Sequence, residues 1–79
     1  MSKILVLLSI PMLDESYDLL IPINKKVGTI KKYIIQNFVG NEMDTYQLRL
    51  YDKTTGNAYD ENSYVMDSGI VNGSKIVLI

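Results

Sequence analysis

The chain has neither cysteine nor histidine among its 79 residues. The first absence removes any disulfide framework, thiolate zinc site or thiol nucleophile. The second removes the commonest metal ligand and the only side chain whose ordinary titration falls near neutral pH. A hydrolase or transferase would be left with carboxylates, lysines and hydroxyls, so the sequence predicts a protein that is not an enzyme and holds no cofactor or metal. Neither sign of charge predominates. Eight Lys and Arg stand against nine Asp and Glu, a formal net charge of −1, which argues against a nucleic-acid binder that works by neutralising phosphates. No apolar run approaches the roughly 20 residues that cross a bilayer, so direct membrane insertion is not expected. No repeat, low-complexity tract or linker is visible. Residues 1–79 form one domain, and a chain this short buries only about 60–70% of the surface its unfolded form exposes.

The charge that is present is unevenly spread. Residues 1–39 carry Lys3, Lys25, Lys26, Lys31 and Lys32 against Asp14, Glu15 and Asp18, a balance of +2. Residues 40–79 carry Arg49, Lys53 and Lys75 against Glu42, Asp44, Asp52, Asp60, Glu61 and Asp67, a balance of −3. An acidic partner would be steered to the first half. Met1-Ser2-Lys3 before Ile4-Leu5-Val6-Leu7-Leu8 has the outline of a secretory signal. Ser9 and Pro11 interrupt that run, no small-residue cleavage site follows, and Asp14-Glu15 arrives at once. The run reads instead as a buried strand, and the protein as cytoplasmic and mature from Met1.

Lys3 to Ile10 is predicted as a strand apolar on both faces, followed by a polar turn from Pro11 to Ser16. Tyr17 to Ile23 is a second strand with Tyr17, Leu19, Ile21 and Ile23 on one face. Pro22, lacking an amide hydrogen, places that strand at a sheet edge. The two strands should pair antiparallel as a hairpin. Val27, Ile30, Ile34 and Phe38 then recur at helical spacing, and Gly40 is a natural stop. A third strand is expected from Tyr46 to Tyr51, with Leu48 and Leu50 inward. A turn over 53–57 and a brief fourth strand at Ala58-Tyr59 follow, then a short helical turn from Tyr64 to Gly69. Asn72-Gly73 is a tight-turn pair, and Lys75 to Ile79 closes the chain as a strand with Ile76 and Leu78 inward. The first and last strands are expected side by side and parallel in mid-sheet. One helix across one face of a mixed, four- to five-stranded sheet is an α+β domain.

This order resembles the β-grasp fold of ubiquitin. Val27, Ile30 and Ile34 resemble its core helix, Gln47-Leu48-Arg49-Leu50-Tyr51 its third strand, and Asp67-Ser68-Gly69-Ile70 the turn before its final strand. A closer resemblance is to the ubiquitin-like YukD/EsaB family of accessory proteins of bacterial type VII (WXG100) secretion systems. It is carried by Tyr17-Asp18-Leu19, by Val27 to Ile30, and by the Gly69-Ile70, Asn72-Gly73 and Ile76–Ile79 close. The resemblance implies a cytosolic, non-catalytic accessory that acts by binding protein. Ubiquitin and the sulfur carriers act through a flexible Gly-Gly tail, because side-chain-free residues allow close approach to an active site. Here the sequence closes on Val77-Leu78-Ile79, read as sheet, so conjugation is not expected unless a longer natural chain was trimmed. A modifier or sulfur carrier with a missing tail, and a generic β-grasp scaffold or oligomerisation module, remain the alternatives.

The candidate binding surface is the outward sheet face. It is expected to present Val6 and Leu8 from the first strand, Arg49 and Tyr51 from the third, and Val77 and Ile79 from the last, with Lys75 as a basic border. Contiguous exposed apolar surface usually marks a partner site or self-association, here a weak homodimer. The plainer alternative is that these are good strand formers on a solvated face. Lys25, Lys26, Lys31 and Lys32 form a second, basic patch near the helix start. They either dock an acidic protein surface or simply keep the chain soluble. Asp60-Glu61-Asn62-Ser63 lacks the ligand spacing of a calcium loop and reads as surface turn.

Overall fold

A computed structural model describes residues 2–40 and 47–79 of the chain. Strand β1 (Lys3–Ile10) and strand β2 (Glu15–Pro22) form an antiparallel hairpin. A 3-10 turn over Pro11–Leu13 joins them, with Asp14 at φ 52°. Helix α1 (Val27–Ile34) continues into a π-type turn over Ile35–Val39, closed by the Gly40 amide on the Ile35 carbonyl at 2.8 Å. Gly40 stands at φ 89°, a left-handed conformation that glycine adopts without steric cost. Strand β3 (Leu50–Asp52), a 3-10 turn at Val65–Asp67 and strand β4 (Ser74–Leu78) complete the order.

The sheet order is β2-β1-β4-β3. The parallel pair β1 and β4 occupies the centre, and β2 carries Pro22 at an edge, as the sequence predicts. The third strand is shorter than expected. Its predicted start at Tyr46 lies outside the described residues, but Arg49 and Ile79 exchange both backbone hydrogen bonds (2.7 and 3.1 Å), which extends the ladder by one pair. Ala58-Tyr59 makes only an isolated bridge to Tyr51 and one hydrogen bond from Tyr59 to the Leu50 carbonyl. Among the described residues the sheet therefore has four strands.

The core lies between the sheet and α1. Val6, Leu8 and Ile10 of β1 meet Ile76 and Leu78 of β4, Leu50 of β3, and Val27, Ile30 and Ile34 of α1. Full burial of one such side chain stabilises by about 1.5–3 kcal/mol, and no buried polar side chain interrupts the cluster. Tyr17, Leu19 and Ile23 pack against its flank, and the Tyr17 and Phe38 rings lie 4.5 Å apart.

One expectation is overturned here. Val6 and Leu8 are 0% exposed and belong to the core, not to the outward face. In β4 the inward residues are Ile76 and Leu78, and the parallel register sets Leu8 beside Ile76 and Leu7 beside Lys75. Because side chains alternate across a strand, the odd positions of β1 face out. Leu5, Leu7 and Ser9 take the places expected for Val6 and Leu8.

The helix start lacks a capping side chain. Its amides are met instead by the later loop: Val27 donates to the Ser63 carbonyl (2.8 Å) and Gly28 to the Glu61 carbonyl (2.9 Å). A Cβ on Gly28 would stand 3.1 Å from that same Glu61 oxygen, which explains the glycine in the first helical turn.

Candidate functional site

The outer sheet face is built by alternation. The inward residues of each strand fill the core, so every second residue is turned away from the helix. The ladders then set Ser16, Ser9, Val77 and Tyr51 in one row, and Asp18, Leu7, Lys75 and Lys53 in the next. Leu20 and Leu5 form a third row. Apolar side chains cross the face diagonally, from Leu20 through Leu5 and Leu7 to Val77 and Tyr51. Ile79 lies beyond them at 52% exposure, opposite Arg49. Leu5, Leu7, Tyr51 and Val77 are half-buried. A shallow depression of about 270 Å³ lies along the Leu7 row, lined among others by Ser9, Asp18, Lys53 and Lys75. There the Lys53 ammonium donates to the Ser9 hydroxyl at 3.4 Å.

Of the residues singled out in the sequence, Arg49, Tyr51, Lys75, Val77 and Ile79 share this face, and Val6 and Leu8 do not. Leu5, Leu7 and Leu20 were missed. A signal for them was present. In the first strand the polar residues Lys3 and Ser9 both stand at odd positions, whereas Ile4, Val6, Leu8 and Ile10 are unbroken apolar. The uninterrupted set is the one a core requires.

The basic patch at the helix start is divided. Lys25, Lys26 and Lys32 are exposed, whereas Lys31 lies 2.9 Å from the Glu61 carboxylate and is largely covered. The Arg49 guanidinium also reaches Glu61, at 3.7 Å. Glu61 thus ties the helix to the β3 edge, and its turn is structural. Asp60 accepts from the Asn62 amide (2.9 Å) and the Ser63 hydroxyl (3.3 Å) within the same turn. Tyr59 has its phenol pKa raised above 10.0, first by burial and second by the nearby Asp52 carboxylate.

No protein-family model and no curated protein matches the sequence. Solved structures do match the fold. Caldiarchaeum subterraneum ubiquitin superposes with a TM-score of 0.78 at 19% identity, covering 99% of this chain and 92% of that one. The fold is ubiquitin-like. A structure described as molecular mimicry of SUMO that promotes DNA repair gives a TM-score of 0.81 at 19% identity, over 100% of this chain and 92% of its own. A chain of the toluene 4-monooxygenase HD complex with the inhibitor 4-bromobenzoate gives 0.78 at 10% identity, over 98% and 96%. The same fold therefore occurs in a ubiquitin and in a chain of a monooxygenase complex, and function must be argued from the surface of this chain. Among the described residues no helix is long and apolar enough to cross a membrane.

Proposed function

We propose that this chain is a non-catalytic, cytoplasmic adaptor that binds a protein partner through the outer face of its sheet, as an accessory of a bacterial type VII (WXG100) secretion system. The observation that carries the binding reading is the apolar diagonal of Leu5, Leu7, Val77 and Tyr51, ending at the exposed Leu20 and Ile79. Lys53, Lys75 and Arg49 stand beside it. Apolar centre with charged border is the usual anatomy of a protein interface. The secretion reading rests on the resemblance of Tyr17-Asp18-Leu19 and the Gly69-to-Ile79 close to the YukD/EsaB family.

Two variants test the site. Tyr51→Asp or Val77→Asp places a carboxylate in the diagonal without entering the core, and each is expected to abolish capture of the partner while the fold persists. Purified WXG100 substrate and the cytosolic part of the FtsK-like secretion ATPase are the baits. Parent-like binding by both variants sinks the sheet-face site, and failure of the parent chain to bind either bait sinks the secretion reading. A modifier role predicts an intact mass for the native protein that exceeds this sequence by a glycine-terminated extension.

A further inference from the structure

The edge of β2 is a second surface, distinct from the sheet face. The Ile23 amide donates to the Ser2 carbonyl (3.3 Å). By alternation, residues 21, 19 and 17 turn their backbone groups toward β1, while Ser16, Asp18, Leu20 and Pro22 turn theirs to the open edge. No hydrogen bond within the described residues uses the edge-facing amides of Asp18 or Leu20. Beside this edge, between β2 and α1, runs a groove of about 520 Å³. Leu19, Ile21, Ile30 and Ile34 line it, with Lys3 and Lys25 at one end. Its borders are apolar and open: Leu20 is 62% exposed and Tyr33 66%. Charge runs along the edge in one direction. Asp14, Glu15 and Asp18 stand at its start, and Lys3, Lys25 and Lys26 at its finish. None of these six appears in an ion pair among the described residues.

We infer that the β2 edge pairs antiparallel with the β2 edge of a second copy of this chain, in one register. A two-fold axis reverses the second strand, so the acidic start of each copy meets the basic finish of the other. Symmetric registers centred on Asp18, Leu19 or Leu20, in the middle of the strand, keep edge-facing residues opposite one another. Centring on Asp18 sets two like carboxylates face to face, which destabilises a cross-strand pair. Centring on Leu20 sets Asp18 against Pro22, which has no amide hydrogen to give. Centring on Leu19 keeps the two Asp18 carboxylates apart and both Asp18–Leu20 pairs complete, and moves Pro22 out to the end of the ladder, against Ser16. Leu20 then lies opposite Asp18 of the second copy, and the two Leu19 side chains meet in the joined grooves with Tyr33 above them. On the helix side Glu15 of one copy approaches Lys25 of the other. On the outer side Asp18 approaches Lys3 one row away. Edge strands are ready templates for such pairing unless they are blunted. Here Asp18 and Pro22 interrupt the ladder near its centre in the other two registers, whereas the one centred on Leu19 loses only an end hydrogen bond on each side.

The charge reversal supplies the test. Glu15→Lys with Asp18→Lys makes both ends of the edge basic, and Lys3→Glu with Lys25→Glu makes both ends acidic. Light scattering and sedimentation equilibrium on the full chain, up to millimolar concentration, should show a dimer of the parent. Each double variant should have a dissociation constant weakened by at least about tenfold, and an equimolar mixture of the two should recover a heterodimer. Leu20→Pro removes an edge amide that β1 does not use and should also give monomer, with unchanged far-ultraviolet circular dichroism. Tyr51→Asp lies on the sheet face and should leave the dimer intact, which separates this inference from the proposed partner site. A parent that stays monomeric overturns the inference, as does a mixture that fails to pair or a dimer that Tyr51→Asp dissolves.

Discussion

Leu7 and Leu8 are neighbours of identical chemistry on opposite sides of the sheet, and replacing each by Asp tests the register of the central strand. Leu8 is fully buried between β4 and the helix. Losing its side chain costs about 2–5 kcal/mol in transfer and cavity terms. The incoming carboxyl must also either be buried charged or stay protonated. Keeping a group of unperturbed pKa about 3.9 neutral at pH 7 costs roughly 4 kcal/mol, at 1.36 kcal/mol per pKa unit. The sum, about 6–9 kcal/mol, is set against a total stability of about 4–12 kcal/mol for a domain of this length, whose thin core places it toward the low end. Leu8→Asp should therefore be unfolded at neutral pH. It should regain structure as pH falls toward 4, because the native-state pKa is raised and the penalty vanishes as the unfolded carboxylate also protonates. Leu7 is half-buried on the outer face, with Asp18 beside it on β2 and Lys75 on β4. A carboxylate there meets one like and one opposite charge, each worth about 0.2–1 kcal/mol, and loses part of one apolar contact. Leu7→Asp should fold with a loss of about 1–2 kcal/mol. Urea denaturation followed by far-ultraviolet circular dichroism distinguishes the two. The reverse order of stabilities would mean that β1 is slipped by one residue and that the assignment of both faces is wrong.

Three further substitutions probe single contacts. Gly28→Ala should destabilise by about 1 kcal/mol, although helix propensity alone favours alanine by a similar amount. The Glu61 oxygen that the new Cβ would meet at 3.1 Å is itself held by the Gly28 amide, and a higher urea midpoint for the variant would contradict this. Asn72→Ala removes the carbonyl that accepts from the Leu5 amide at 2.8 Å. It should cost about 0.5–1.5 kcal/mol and speed hydrogen exchange at Leu5, and unchanged exchange would refute the contact. Tyr59 gives a pH signature. Its folded pKa lies above the unfolded value of 10.0, so its contribution is complete below pH 10. That contribution falls as pH rises above 10, where the unfolded chain releases its proton first. Tyr59→Phe should remove this part of the alkaline slope, and a slope identical to the parent's would count against it.

How much of this was legible in the sequence depended on which signal each element carries. Helix α1 was readable because Val27, Ile30 and Ile34 share one period that Phe38 carries on into the following π-type turn, and Gly40 closes that turn with a positive φ. The edge placement of β2 followed from one missing amide hydrogen at Pro22. The parallel central pair followed from apolar residues on both faces of the first and last strands. Strand β3 was harder, because only Leu50–Asp52 forms regular ladder and its neighbours pair through single contacts. The Lys31–Glu61 pair spans 30 residues, and no local pattern announces such a contact.

The site was half legible, for a reason that goes back to β1. Its alternation is masked because Leu5 and Leu7 are as apolar as Val6 and Leu8, so hydrophobicity alone leaves the two faces equivalent. In a strand whose outer face were purely solvated, selection for solubility would favour polar residues at positions 5 and 7, and parity would be plain. The same two leucines that obscure the register therefore supply the apolar centre of the proposed surface. Sequence reading fails where the outer face carries an apolar demand of its own, which is the expected place for a binding site. Variants that restore plain alternation, such as Leu5→Thr with Leu7→Thr, should keep the fold, because both positions lie outside the core cluster. If the outer face binds a partner, that pair should lose binding while the urea midpoint changes little. A variant that binds as the parent does would show that the leucines answer only to strand propensity.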